Sequence, residues 1–314
     1  MPLLNVNIVD GRIRLAGGGD FDAAIAKVAL DLPPAAPVII LVHGYKFSPA
    51  TPYTDPHTHI LSLTPRNDCW KAISWPKQLG FSGDHQDEGL CIAVGWEARG
   101  TIWQAWRSAA KTGGGLVDLI GRIRHVRKTA IDILCHSLGA RVVLSAVPGL
   151  PLNSLGRVIL LTAAEFQNPA NRALASPAGQ TAEFINVTSR ENDLYDACVE
   201  WLIRPGRPKD RMLGAGIWNQ RQNWLDMQVD CPRSRNALRE FGHFIAPPQS
   251  RICHWSSYLR PGLMEFYRDL IRNPRALPLE ALRQSLPQRV SPRWSRLRPV
   301  LPKGLPMGWT RPVH

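Results

Sequence analysis

No apolar stretch in this 314-residue chain approaches the roughly 18 residues that a membrane span needs. The longest runs, 37–42 and 158–164, have the length of strands. The opening, MPLLNVNIVDGRIRL, lacks a basic segment followed by an apolar one, so a secretory leader is not expected. Cysteine is scarce: Cys69, Cys91, Cys135, Cys198, Cys231 and Cys253 are the whole set, and no two stand at C-x-x-C spacing. Cys91 and Cys135 fall in runs that read as buried strands, where a thiol acts as a small hydrophobe, and reduced thiols are expected rather than disulfides. Internal repeats are missing as well. A cytoplasmic, enzyme-sized protein is the expectation.

Acidic residues are the other shortage, 25 against 38 Lys and Arg for a net charge of +13. The imbalance concentrates at the C-terminus, where residues 272–314 carry nine basic residues against Glu280 alone. Such a patch attracts nucleic acid or anionic membrane. No zinc-finger spacing, RNP-like sequence or basic heptad region accompanies it, so an Arg-rich solvated tail is the plainer expectation. Eight prolines in 274–314 predict an extended, partly ordered segment. The rest has ample material for a core, at 44% hydrophobic residues.

Along the chain, strand and helix signals alternate. Leu4, Val6 and Ile8 alternate with Asn5 and Asn7, Asp10-Gly11 supplies a turn, and residues 12–15 alternate back, which predicts a β-hairpin. A short helix is expected near 22–30. The run PVIILV (37–42) reads as a strand buried on both faces. Further strands are expected at 89–96, 131–137, 156–164 and 182–189. Helices are expected around 67–79, 101–111, 116–126, 138–146, 169–175 and 262–271, with Gly113-Gly-Gly115 separating the third from the second. This order predicts an α/β fold with a mainly parallel central sheet and helices on both faces. Residues 196–251 show no clear periodicity and read as a lid or pocket-wall excursion within a domain spanning 1–273, followed by the 274–314 tail.

The strongest chemical signal is Cys135-His136-Ser137-Leu138-Gly139, where a buried strand becomes a helix. A serine in that tight turn is thrust out at the carboxyl end of the sheet. The usual pattern is G-x-S-x-G; Cys135 stands where its first glycine would be. The second signal is His43-Gly44-Tyr45, directly after PVIILV. Backbone N–H groups of Tyr45 and Leu138 can form a pair of donors for a developing oxyanion.

On these residues the chain resembles the α/β-hydrolase superfamily, esterase/lipase-like. ILVHGYKF resembles its oxyanion strand and DILCHSLGARVVL its nucleophile elbow, while CIAVGWEARG and VILLTAAEF match the flanking strands. Within the superfamily, IAVGW…HSLGARVVL…AAEF is most similar to a group of uncharacterised bacterial α/β-hydrolases. The similarity covers roughly 37–272; the N-terminal hairpin fits loosely and the tail not at all. The resemblance implies the order nucleophile, acid, histidine. Ser137 is then the nucleophile, and Asp193, five residues beyond Thr188, is the chosen acid, with Asp196, Glu191 and Glu165 as alternatives. His254, just before the last helix, is the base in preference to His243.

The function implied is cleavage of a small-molecule carboxylic ester through an acyl-enzyme on Ser137. The same constellation serves thioesterases and acyltransferases, and a non-catalytic ligand-binding or scaffold protein is the alternative class. No cofactor is implied, and no obligate protein partner. Asp55-Pro56-His57-Thr58-His59 raises a metal question, but no third His or Cys stands at ligand spacing, so a substrate-rim loop is expected and no metal. Trp96, Trp103, Trp106 and Trp255 are candidates to line an apolar acyl pocket, although each alone is more often core.

Overall fold

A computed structural model describes residues 3–83, 85–203, 209–217 and 221–297. Eight strands form one sheet: β1 (Leu3–Val9), β2 (Arg12–Leu15), β3 (Val38–Val42), β4 (Leu90–Trp96), β5 (Ile131–His136), β6 (Leu155–Leu161), β7 (Glu183–Thr188) and β8 (Trp224–Gln228). Their order across the sheet is β2-β1-β4-β3-β5-β6-β7-β8. Every neighbouring pair is parallel except the β1–β2 hairpin. Asp10 and Gly11 both take positive φ, 50° and 75°, the twist that a two-residue hairpin turn requires. The hairpin is an integral part of the sheet, because β1 pairs along its length with β4.

The helices are α1 (Phe21–Asp31), α2 (Trp75–Gln78), α3 (Ile102–Val126), α4 (Gly139–Ala146), α5 (Gln167–Ala175), α6 (Pro177–Thr181), α7 (Asp193–Ile203), α8 (Pro232–Glu240), α9 (Ser256–Leu259), α10 (Leu263–Arg272) and α11 (Leu279–Ser285). Continuous apolar strands make sense here, since successive side chains serve opposite cores. Val38, Ile40 and Val42 join the core under α1, α3, α4, α5 and α6. Ile39 and Leu41 join a second core with Trp75, Leu238, Phe266 and Leu282 from α2, α8, α10 and α11. This is the α/β architecture that the alternation implied, a mainly parallel central sheet with helices on both faces and an N-terminal β-hairpin.

Four local expectations differ from the structure. The helix expected at 67–79 shrinks to α2, entered through Ser74 as its cap with Pro76 in its first turn; proline fits there and not further inside a helix. The two helices expected across 101–126 are one, α3, running through all three glycines. A Cβ on Gly113 would lie 2.8 Å from Ser145 Cβ and one on Gly115 2.5 Å from Ile8 Cγ2, so these glycines let α3 press against α4 and the hairpin. The 196–251 stretch holds most of α7, the edge strand β8 and α8, so much of it extends the sheet. Trp201 there is exposed and Trp224 is buried in β8, while Trp218 lies outside the described residues.

Residues 274–297, read from the sequence as an extended tail, form α11 and a segment packed on the domain. Leu277, Leu279, Leu282 and Leu286 are buried in the second core. Arg157 at the start of β6 holds this junction, donating to the carbonyls of Leu270, Pro274 and Leu277. Residues 298–314, the remainder of the expected tail, lie outside the described residues. All six cysteines are free, with Cys91 and Cys135 buried. Among the described residues no helix is long and apolar enough to cross a membrane.

Candidate active site

Strand β5 delivers Ser137 at its carboxyl end, and α4 begins two residues later. Ser137 has φ +54°, a left-handed conformation that a non-glycine residue adopts only where its surroundings enforce it. Ser137 N–H donates to Leu161 O at 2.9 Å, and its own carbonyl accepts from Ala164 N–H at 2.9 Å. Both links tie the turn to the end of β6. Close approach on the other side needs glycine. A Cβ on Gly44 would lie 2.8 Å from Ser137 Cβ, and one on Gly139 2.6 Å from His43 O. Cys135 fits where the usual motif has glycine because its side chain points into the first core, with Sγ 3.8 Å from Ile159 O.

The turn after β3 is locked by His43. Burial pushes the His43 imidazole down to about 3, so the ring is neutral. Its Nε2 accepts from Trp96 N–H at 3.0 Å, which leaves the proton on Nδ1 to be donated to Gly44 O at 2.9 Å. Trp96 Nε1–H returns a bond to His43 O at 3.0 Å. Among the described residues the Tyr45 and Leu138 N–H groups have no hydrogen-bond partner. They flank the point where Gly44 meets Ser137.

His254 reaches Ser137 from the loop before α9, with Nε2 2.9 Å from Ser137 Oγ. Its backbone carbonyl accepts from His136 Nε2–H at 3.1 Å and from Thr162 Oγ1–H at 3.4 Å. The ring is stacked on Tyr195 at 4.7 Å and abuts Trp255. Burial first, then the neighbouring His136 and the Lys71 ammonium, hold the His254 imidazole well below its usual range. It is therefore neutral at pH 7, as a proton acceptor must be. The competitor His243 sits elsewhere, 3.9 Å from Asp269 and edge-on to Phe266.

The residue on the other ring nitrogen is not the expected one. His254 Nδ1 lies 2.6 Å from Asn192 Oδ1. Asp193, the chosen acid, is turned away: its carboxylate accepts Trp294 N–H at 2.7 Å and faces Arg190 at 3.4 Å. The cause is helical phase. Residues 190–192 form a 3-10 turn that runs straight into α7, and successive residues there point about 100° apart. Adjacent in sequence, Asn192 and Asp193 serve different sides of the turn.

The other candidate acids are also engaged away from the imidazole. Glu191 bonds Ser189 and pairs with Arg260. Glu165 pairs with Arg141 at 2.7 Å. Asp196 accepts from Asn192 Nδ2 at 2.9 Å, so it stands one residue behind the histidine. Sequence reasoning missed Asn192 because it sought a carboxylate; the available signal was a polar residue closing the same strand-to-helix turn, S-R-E-N.

The Asp55–His59 loop does not gather ligands. His57 Nε2 lies 2.8 Å from Asn7 Oδ1 and Asp55 caps the His57 N–H. Among the described residues no group of three His, Cys, Asp or Glu side chains has an arrangement that can hold a metal ion. Of the four tryptophans proposed for a pocket, Trp255 alone contacts His254. Trp96 is fully buried, Trp103 is 47% exposed, and Trp106 packs on Phe166 under Arg141.

No protein-family model and no curated protein matches the chain. Among solved structures, it is similar to the Bacillus licheniformis lipase BlEst2 in mature form, at 11% sequence identity and a TM-score of 0.40, covering 78% of this chain and 94% of that one.

Proposed function

We propose that this protein is a serine hydrolase that cleaves a carboxylic ester through an acyl-enzyme on Ser137. The observation that carries the reading is the 2.9 Å contact between Ser137 Oγ and His254 Nε2, made at a strained turn. Donation of Nδ1–H to Asn192 leaves the Nε2 lone pair aimed at the serine hydroxyl. In acylation, Oγ attacks the ester carbonyl carbon while Nε2 takes its proton. The carbonyl π pair moves onto oxygen, to which the Tyr45 and Leu138 N–H groups would donate. Collapse breaks the bond to the alcohol oxygen, which leaves with the proton from Nε2. Water then gives a proton to Nε2 and its oxygen to the acyl carbon. Oγ departs and recovers the proton, so ester and water become acid and alcohol.

A second reading, a ligand-binding protein without turnover, is favoured by one observation: the partner of His254 is a neutral amide, which stabilises an imidazolium less than a carboxylate does. Fluorophosphonate labelling separates the two, since phosphonylation forms Oγ–P, expels fluoride and sends the serine proton to His254. We expect the wild type to label, Ser137→Ala to lose labelling completely, and His254→Ala to lose it by at least about 10²-fold. Folded wild type that fails to label would leave the binding reading. Among substrates, we expect oxygen esters to be turned over ahead of thioesters and amides.

A further inference from the structure

Behind the imidazole lies a polar chain that continues past Asn192. Asn192 and Asp196 are four residues apart where the 3-10 turn enters α7, so they share one face. Asn192 Oδ1 faces His254 Nδ1 at 2.6 Å, and its Nδ2 donates to Asp196 Oδ1 at 2.9 Å. Both carboxamide ends are thus committed, and both side chains are buried. Space behind Asp196 is closed by Gly214, where a Cβ would strike the carboxylate. From the described part of the C-terminal segment, Arg293 reaches it at 3.9 Å, itself anchored by two bonds to Glu200 at 2.7 and 2.9 Å.

An amide next to an imidazole is ambiguous in a way a carboxylate is not. With its oxygen toward Nδ1, it holds the proton there and leaves Nε2 free to accept from Ser137. With its NH2 group toward Nδ1, it selects the opposite tautomer, and Nε2–H can no longer take the serine proton. Something must decide the flip, and Asp196 is the group in contact with the other end. An acceptor at that point demands the NH2 group and turns the oxygen to His254.

We propose that Asp196 is a positioning residue of this site: through Asn192 it sets the carboxamide orientation and hence the His254 tautomer that makes Ser137 a nucleophile. This rests on the serine hydrolase reading for its catalytic consequence, but the tautomer itself is observable without turnover. Charge adds to geometry. Burial pushes the Asp196 carboxyl up to about 7, with Arg293 and Arg190 opposing and Asp193 and Glu200 reinforcing that shift. Near neutral pH the carboxylate therefore gives way to the acid, which weakens the command over the amide.

The test uses the full chain and two readouts. Histidine-15N NMR at pH 8 reports the His254 tautomer, with Ser137→Ala and His254→Ala spectra for assignment. Fluorophosphonate labelling rates between pH 6 and 8 report activation of Ser137. Wild type should show the Nδ1–H tautomer and a labelling step near pH 7. Asp196→Leu should populate the Nε2–H tautomer and label at least 10²-fold more slowly. Asp196→Asn, close in shape and able to offer its own amide oxygen, should keep the tautomer, label several-fold more slowly and lose the step. The exchange Asn192→Asp with Asp196→Asn should restore the tautomer and most of the rate.

An Asp196→Leu protein with the Nδ1–H tautomer, or an Asp196→Asn protein with the wild-type rate and step, overturns the proposal. The second arm decides it even if Asp196→Leu does not fold. If wild type fails to label while the tautomer still follows residue 196, the positioning role stands and the hydrolase reading falls.

Discussion

Single side chains carry much of the chemistry here through what burial does to their protons. His43, His136 and His254 are all held below the ordinary imidazole range, chiefly by burial, and the hydrogen bonds of each then fix one tautomer. His43 locks the turn after β3, His136 holds the His254 carbonyl, and His254 faces Ser137. Lys71 contributes from outside. Its ammonium lies 3.3 Å over the Trp255 ring, and its charge disfavours protonation of His254. Lys71→Gln removes that charge, so the His254 pKa rises and the acid limb of the labelling-rate profile moves to higher pH. A downward or absent shift would show that Lys71 does not act on the imidazole.

Between elements, glycine decides how closely helices and turns approach. Helix α3 carries three consecutive glycines and still runs unbroken from Ile102 to Val126. The helix tolerates them because Gly113 and Gly115 allow contact with α4 and β1, and the apolar surface buried there offsets their poor propensity. Gly114, between them, faces open space. Two substitutions at neighbouring positions should therefore differ in sign. Gly114→Ala should stabilise by about 0.5–1 kcal/mol through helix propensity. Gly113→Ala should destabilise by about 1–3 kcal/mol, because its Cβ meets Ser145 and the Val142 carbonyl. Urea unfolding of both variants checks this.

Across the chain, a half-buried carboxylate couples the sheet to the C-terminal segment and to pH. At the base of β5, Asp132 accepts Arg157 N–H at 2.7 Å, and the Arg157 side chain clasps the carbonyls that end α10 and lead into α11. Burial pushes the Asp132 carboxyl up to about 7. A raised carboxyl favours the folded state fully below its unfolded value near 3.8, and that contribution is lost as pH rises to 7. Asp132→Asn has no such titration, and its amide oxygen can still accept from Arg157. Its stability relative to wild type should improve between pH 5 and pH 8, measured by urea unfolding at both. Equal differences at the two pH values would show that Asp132 does not titrate in this range.

Local pattern was enough to read the buried strands 37–42, 89–96 and 131–137, the hairpin, and the strand-to-helix turn that carries Ser137, because period and turn residues are properties of neighbouring residues, whereas His254 was chosen from the residue order that the resemblance implies. It was not enough for the short edge strand β8 or for α7, whose partners lie in other segments. Nor did it reveal that residues 274–297 pack on the domain, since proline and arginine content says nothing of Leu277, Leu279 and Leu282 finding a shared core. The imidazole partner was the finest of these distinctions. Four carboxylates and one amide stand within reach along the chain, and each carboxylate is claimed by an arginine, a backbone N–H or Asn192 itself. Which group meets His254 depends on the phase of a helical turn and on cations brought from residues 141, 190, 260 and 293, and that is settled only when the chain has folded around them.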